Sequence, residues 1–234
     1  MNAGRQPFHL YFAAIFLGLL AAGRGAYVAP DQFDFEQLLG APPADDSARH
    51  RQELDRMLSL QADRTPAEER RCKSEETISV FAFSDVLGGW FNAKDLPVTS
   101  ELMQQVQDQV KAVADVAKDK WKRVRPPLAD RRIHPCVKLE RSPSYPSSHA
   151  TRGIVWATLL CQIFPERTDA LMARGKQIGD DRVLGGMHYP TDVAAGQKLG
   201  AEIARLLLAN PDFQSELRKS RAECLAAKPI PAQQ

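Results

Sequence analysis

Residues 146–165 read PSSHATRGIVWATLLCQIFP, and the architecture is worked out from them. Ser147 or Ser148 offers a side-chain oxygen where a helix must satisfy its first free N–H groups. An apolar run over residues 149–164 follows, and Pro165 stops it. Downstream, the pattern predicts a helix from Thr168 towards Leu184, broken by Gly185-Gly186. Pro190 suits the first turn of a helix running to Leu208, and Pro211 opens a short terminal one. Upstream, Thr99 and Ser100 can cap a long helix with Leu102, Val106, Val110, Val113, Val116 and Ala117 on one stripe. Pro126-Pro127 ends that helix at Arg125. Further back, Thr65-Pro66-Ala67-Glu68 carries a cap, a first-turn proline and a capping box. A helix capped near Ser47 precedes it, and the short apolar stretch from Ile78 to Leu87 also favours helix. With no convincing strand alternation, the chain reads as an all-α, single-domain helical bundle whose core covers about residues 47–210.

Three clusters lie along this frame. The first is Lys118 with Arg125-Pro126, seven positions apart and so on one side of a helix. The second is Pro146-Ser147-Ser148-His149, which sets hydroxyls and free backbone N–H groups at a helix start, where the dipole also favours an anion. The third is Arg182 with His188 and Asp192, which the Gly185-Gly186 break can fold towards one pocket. The four-residue spacing lets Asp192 take one imidazole N–H of His188 and leave the other nitrogen free. Three cations, two imidazoles and a carboxylate suit a bound phosphoryl group. Residues 126–148, with five prolines, read as one long loop of the functional kind.

Composition narrows the class without naming the chemistry. Apolar residues make up 44% and charged ones 26%, and the net charge is +2, so neither a disordered nor a polyanion-binding chain is indicated, and no nucleic-acid partner is expected. Arg5, the uncharged run at residues 10–22 and the small residues around Gly25 form a secretory signal pattern, assigning residues 1–25 to a signal peptide and 26–234 to the domain. That run spans roughly 20 Å as a helix, short of a ~30 Å hydrocarbon core, so membrane contact is expected only if the segment stays uncleaved. Cys72, Cys136, Cys161 and Cys224 contain no Cys-x-x-Cys pair, which favours disulfides in an oxidising compartment over a metal site.

The clusters together resemble the phosphatidic-acid-phosphatase type 2 (PAP2) superfamily. Its pattern Lys-x6-Arg-Pro, Pro-Ser-Gly-His and Ser-Arg-x5-His-x3-Asp falls on residues 118–126, 146–149 and 181–192. Pro42-Pro43-Ala44 with Ser47, the stretch from Ser79 to Gly88, and Ser144-Tyr145 resemble the bacterial class A acid phosphatases in particular, over about residues 31–210. Two positions depart: Ser148 stands for the motif glycine and Asp181 for the serine before Arg182. Ser148 keeps its N–H and adds a hydroxyl, and Asp181 must point away from an anion or brace Arg182.

The resemblance implies an all-α, metal-independent hydrolase of phosphomonoesters, without cofactor, in the periplasm or secreted. It implies His188 as nucleophile oriented by Asp192, and His149 as proton donor. Lys118, Arg125, Ser147, Ser148, His149 and Arg182 would hold the phosphate. Opposite protonation states, His149 charged and His188 neutral, predict a bell-shaped pH profile on the acidic to neutral side. A periplasmic lipid-phosphate phosphatase, a vanadate-dependent haloperoxidase, a phosphate-binding protein and a metal site on His149, His188 and Asp192 stay open. Self-association into a homo-oligomer is compatible with the sequence.

Overall fold

The computed structural model describes residues 26–229; the expected signal segment lies outside them. The elements are helices α1 (Phe35–Leu39), α2 (Ala48–Asp63), α3 (Pro66–Ser74), α4 (Ser84–Leu87), α5 (Pro97–Trp121), α6 (Pro126–Ala129), α7 (Ser148–Ile163), α8 (Thr168–Leu184), α9 (Pro190–Ala209) and α10 (Pro211–Ala227). Short 3-10 turns lie at Pro30–Gln32, Val80–Phe83 and Pro165–Arg167. The described residues contain no strand.

α7 is the central rod, because most of its side chains are apolar and buried, with Gln162 exposed near its end. Val155, Trp156, Leu159, Leu160 and Ile163 are all buried. α8 and α9 flank it closely. A methyl group added to Gly153 would stand 2.4 Å from the carbonyl oxygen of Gly175, so the α7–α8 contact is backbone against backbone. α5 covers another side with Leu102, Val106, Val110, Val113 and Ala117, and α10 packs against α5.

α3 begins on Thr65 with both halves of its capping box formed, and α2 begins on Ser47. Three boundaries differ from the sequence reading. α5 starts at Pro97 rather than after Thr99, because its cap comes from α10: the Glu223 carboxylate accepts from Val98 N and Thr99 N at 2.8 Å each. α5 stops at Trp121, where Lys122 turns left-handed at φ 49°, so Arg125 lies beyond the helix that carries Lys118. α10, with 17 residues, is a full-length helix.

The residue 126–148 segment holds only the single turn α6 and is pinned at several points. Cys136 N donates to Gly185 O at 3.2 Å, Ser144 N to Arg123 O at 2.8 Å and Ser147 N to Asp192 O at 2.9 Å. The expected disulfides are not formed: all four cysteines are free thiols. Cys161 faces Thr168 O and Cys224 faces Thr99, so each thiol has a polar partner of its own. Cys72 donates to Asp181 O at 3.3 Å, and Cys136 packs against the same small cluster where α3 touches the long loop.

Candidate active site

The end of α5, the long loop, the start of α7 and the turn between α8 and α9 converge on a cavity of about 260 Å³. Lys118, Arg125, Glu140, Ser148, His149 and His188 are among the residues in its wall. The early end of α5 does not separate Lys118 from Arg125, because the chain turns inward at Lys122 and Arg125 enters with extended backbone ahead of Pro126.

The α8–α9 turn places Arg182 beside His188. Met187 N and His188 N both donate to Arg182 O, at 2.9 and 3.2 Å. Gly186 makes that turn possible with φ +77°, a conformation that side chains other than glycine rarely adopt.

His188 is 1% exposed and its two nitrogens face different company. Nδ1 lies 3.3 Å from Asp192 Oδ2 and 3.3 Å from Ser144 Oγ, while Arg125 Nη1 donates to Nε2 at 3.0 Å. A carboxylate on one side and a guanidinium on the other fix the tautomer with hydrogen on Nδ1 and a lone pair on Nε2. Burial, then Arg125, Lys118 and Arg182, hold the His188 pKa well below the usual histidine value.

Asp192, fully buried, is held from three further directions. Ser144 Oγ donates to Oδ2, Tyr189 N donates to Oδ2 at 2.8 Å, and Arg123 Nη1 donates to Oδ1 at 2.7 Å. Arg123 reaches on to Glu53 Oε2 at 2.9 Å and lies 3.9 Å over the Tyr189 ring.

His149 Nε2 donates to the Glu75 carbonyl at 3.1 Å, a partner that can only accept. Nδ1 is therefore the lone-pair nitrogen, with Arg152 Nη2 at 3.5 Å. Burial, then Arg182, Arg152 and His188, push the His149 pKa well below its ordinary value. The expectation of one charged and one neutral imidazole near pH 6.5 is thus corrected for the unliganded site, where both are held neutral.

The cations are not idle. Lys118 donates to Pro143 O, and burial with Arg125 nearby brings its pKa down to about 7. Glu140, which the sequence did not single out, accepts from Arg125 Nη2 at 2.8 Å and Arg182 Nη2 at 2.6 Å. Its carboxylate bridges the two guanidinium groups as an anion would. Arg182 Nε and Nη1 remain buried without an acceptor. Ser147 turns its Oγ to Ala150 N at 3.4 Å and caps α7, whereas Ser148 lies in the cavity wall with Ser142 of the long loop. Among the described residues no group of three or more His, Cys, Asp or Glu is arranged to hold a metal ion.

The PAP2 superfamily model matches residues 109–215, the stretch that carries every group above except Glu53 and Glu75. A non-specific acid phosphatase of Providencia stuartii is 33% identical over 148 residues, 61% of this chain and 59% of that protein, less than two thirds of its length. A non-specific acid phosphatase of Salmonella typhimurium is 31% identical over 195 residues, 79% of this chain and 78% of that protein. The chain belongs to the PAP2 superfamily. A Bacillus subtilis crystal structure, described as a transmembrane PAP2 type phosphatidylglycerolphosphate phosphatase, shares the fold at 18% identity and a TM-score of 0.50, over 78% of this chain and 92% of that one.

Within this PAP2 site, the second departure from the motif has a structural answer. Asp181 turns away from the cavity and accepts from Arg71 Nε and Nη2 at 2.7 Å each, which pairs α3 with α8 directly behind Arg182. The PAP2 motif residues were legible in the sequence; Glu140, Ser144, Arg123 and Arg152 were not. Ser144 enters the sequence reading only through the family likeness, because no periodicity marks a partner contributed by a loop.

Proposed function

We propose that this protein is a phosphoric monoester hydrolase that passes its phosphoryl group through His188. The observation that carries the reading is the pairing of a lone pair on His188 Nε2 with an array of anion-binding donors in one cavity. His188 Nε2 attacks phosphorus, the ester P–O bond breaks, and the leaving oxygen departs on the side of His149 Nδ1. His149 delivers a proton to that oxygen when it is charged, then takes one from the water that cleaves the N–P bond. Arg125, Arg182 and Lys118 stabilise the charge of the transferring group, with Ser148 at the start of α7, which Ser147 caps. These cations supply the charge a metal would otherwise bring, which supports turnover without added divalent ions.

The pH dependence follows from the directions of the shifts. His188 stays unprotonated well below the ordinary imidazole value of 6.5, so the nucleophile survives in acid. His149 loses its proton as pH rises through a value also below 6.5, and Lys118 loses its charge near 7. We therefore expect kcat/KM for an aryl phosphate, assayed in chelator from about pH 4 to about pH 9, to peak on the acid side and fall above about pH 7. A maximum on the alkaline side, or no turnover without metal, would overturn the proposed roles.

Glu140 occupies the bridge that the phosphoryl group must take. Glu140→Gln removes a competing anion and leaves two buried guanidinium groups less neutralised, and both effects favour an incoming anion. Inhibition by inorganic phosphate is expected to tighten by about tenfold, about 1.4 kcal/mol. A weaker inhibition constant in the variant would mean that Glu140 chiefly holds the arginines in place.

Export to the periplasm or medium is part of the proposal. It is supported by the signal-like residues 1–25, and no helix among the described residues is long and apolar enough to cross a membrane.

A further inference from the structure

Glu75 follows the last residue of α3, on an element ahead of residues 109–215 that match the PAP2 model. Its side chain is buried, a costly place for a carboxylate without a partner. The partner is Arg174 of α8, whose Nη1 stands 2.6 Å from Glu75 Oε1. Arg174 is itself fixed: Nε donates to Ala82 O at 3.3 Å, Nη1 to Gln177 Oε1 at 3.0 Å, and Nη2 pairs with Asp85 Oδ2 at 3.3 Å. Further contacts tie the end of α3 to α8, since Arg71 grips the Asp181 carboxylate and Cys72 Sγ donates to Asp181 O at 3.3 Å.

What this clamp presents to the active site is a backbone group. The Glu75 carbonyl lies past the end of α3, where no helical N–H is left for it, and it accepts from His149 Nε2 at 3.1 Å. The negative end of a helix dipole also suits a donor that becomes cationic. Burial, then Arg182, Arg152 and His188, depress the His149 pKa, and the Glu75 carbonyl works against them. A rotated imidazole would lose this bond and bring a different nitrogen to the cavity. We propose that Glu75 is a positioning residue for His149: its carboxylate, anchored on Arg174, holds its own carbonyl where it fixes the imidazole with Nδ1 towards the cavity. This rests on the His149 role proposed above. A buried ion pair gains little net stability over apolar packing, and its use here is to hold a geometry.

The test uses Glu75→Ala and Glu75→Gln with phenyl phosphate, whose leaving oxygen needs a proton, and a dinitrophenyl phosphate, whose leaving oxygen does not. Glu75→Ala leaves Arg174 the Asp85 carboxylate, and thermal unfolding checks that each variant is folded. Glu75→Ala is expected to lower kcat for phenyl phosphate about tenfold more than for the dinitrophenyl ester, with KM little changed and Glu75→Gln in between. Should Glu75→Ala unfold, Glu75→Gln carries the comparison with the same sign. In a His149→Ala background the substitution is expected to leave the ratio of the two rates where it is. Equal losses on both esters would make Glu75 a support of the fold alone, and a ratio that still falls without His149 would place its action elsewhere. Either result overturns the proposal, as does an unchanged ratio in the wild-type background. If the wild type hydrolyses neither ester, or His149→Ala slows both equally, the reading of His149 fails, and Glu75 is judged by nitrogen NMR of the imidazole. There His149 must carry its hydrogen on Nε2 in the wild type and on a mixture of both nitrogens in Glu75→Ala; an unchanged spectrum sinks the positioning role.

Discussion

Replacing His188 by alanine is expected to lower kcat for an aryl phosphate by about 10⁴-fold or more, with the protein still folded and still able to bind inorganic phosphate. The size of the effect follows from what is lost. His188 Nε2 is the lone pair facing Arg125 in the cavity, and its orientation is set on the far side by Asp192 and Ser144. His149 is unsuited to replace it, because its Nδ1 faces Arg152 and its Nε2 is committed to the Glu75 carbonyl. Alkaline quenching of the wild type during turnover should trap phosphate on His188 in an acid-labile linkage, and the variant should trap none. Residual activity within about tenfold of the wild type would exclude His188 as the nucleophile.

Replacing Arg123 by alanine should be the most damaging substitution for stability. Arg123 is buried between two buried carboxylates, Asp192 at 2.7 Å and Glu53 at 2.9 Å. Removing the shared counter-ion leaves two desolvated charges, and breaking a buried pair from one side costs about 3–5 kcal/mol. For a chain of this size that corresponds to a fall in melting temperature of about 10 °C. The loss also reaches the site, since Arg123 holds the Asp192 oxygen that His188 does not face. Arg123→Lys keeps the charge but not the fork, and should lie between wild type and alanine. Urea unfolding would decide the matter, and a loss under about 1 kcal/mol would show that the carboxylates find other partners.

Arg123 also illustrates how far the sequence could be read. Its neighbours in the chain are Lys122 and Val124, and nothing in the local pattern distinguishes it from a solvated basic residue. It becomes a hub only because α5 ends at Trp121 and the left-handed Lys122 turns the next residue into the core. Glu140 is similar: a charged residue in a proline-rich loop, 42 positions from the Arg182 it meets. Asp181 shows the converse case. Its charge beside the motif arginine looked repulsive, but the structure places Arg71 of α3 against it.

The sequence by itself determined the helical elements, their proline and serine starts, and the three motif clusters. Those are local properties, fixed by backbone sterics, by unsatisfied N–H groups and by short spacings along one turn. The tertiary structure alone decided which α10 carboxylate caps α5, which charges neutralise one another, and which nitrogen of each histidine faces the cavity. These depend on contacts between residues far apart in the chain, whose free energy arises only after α7 has been enclosed and water removed from around the charges.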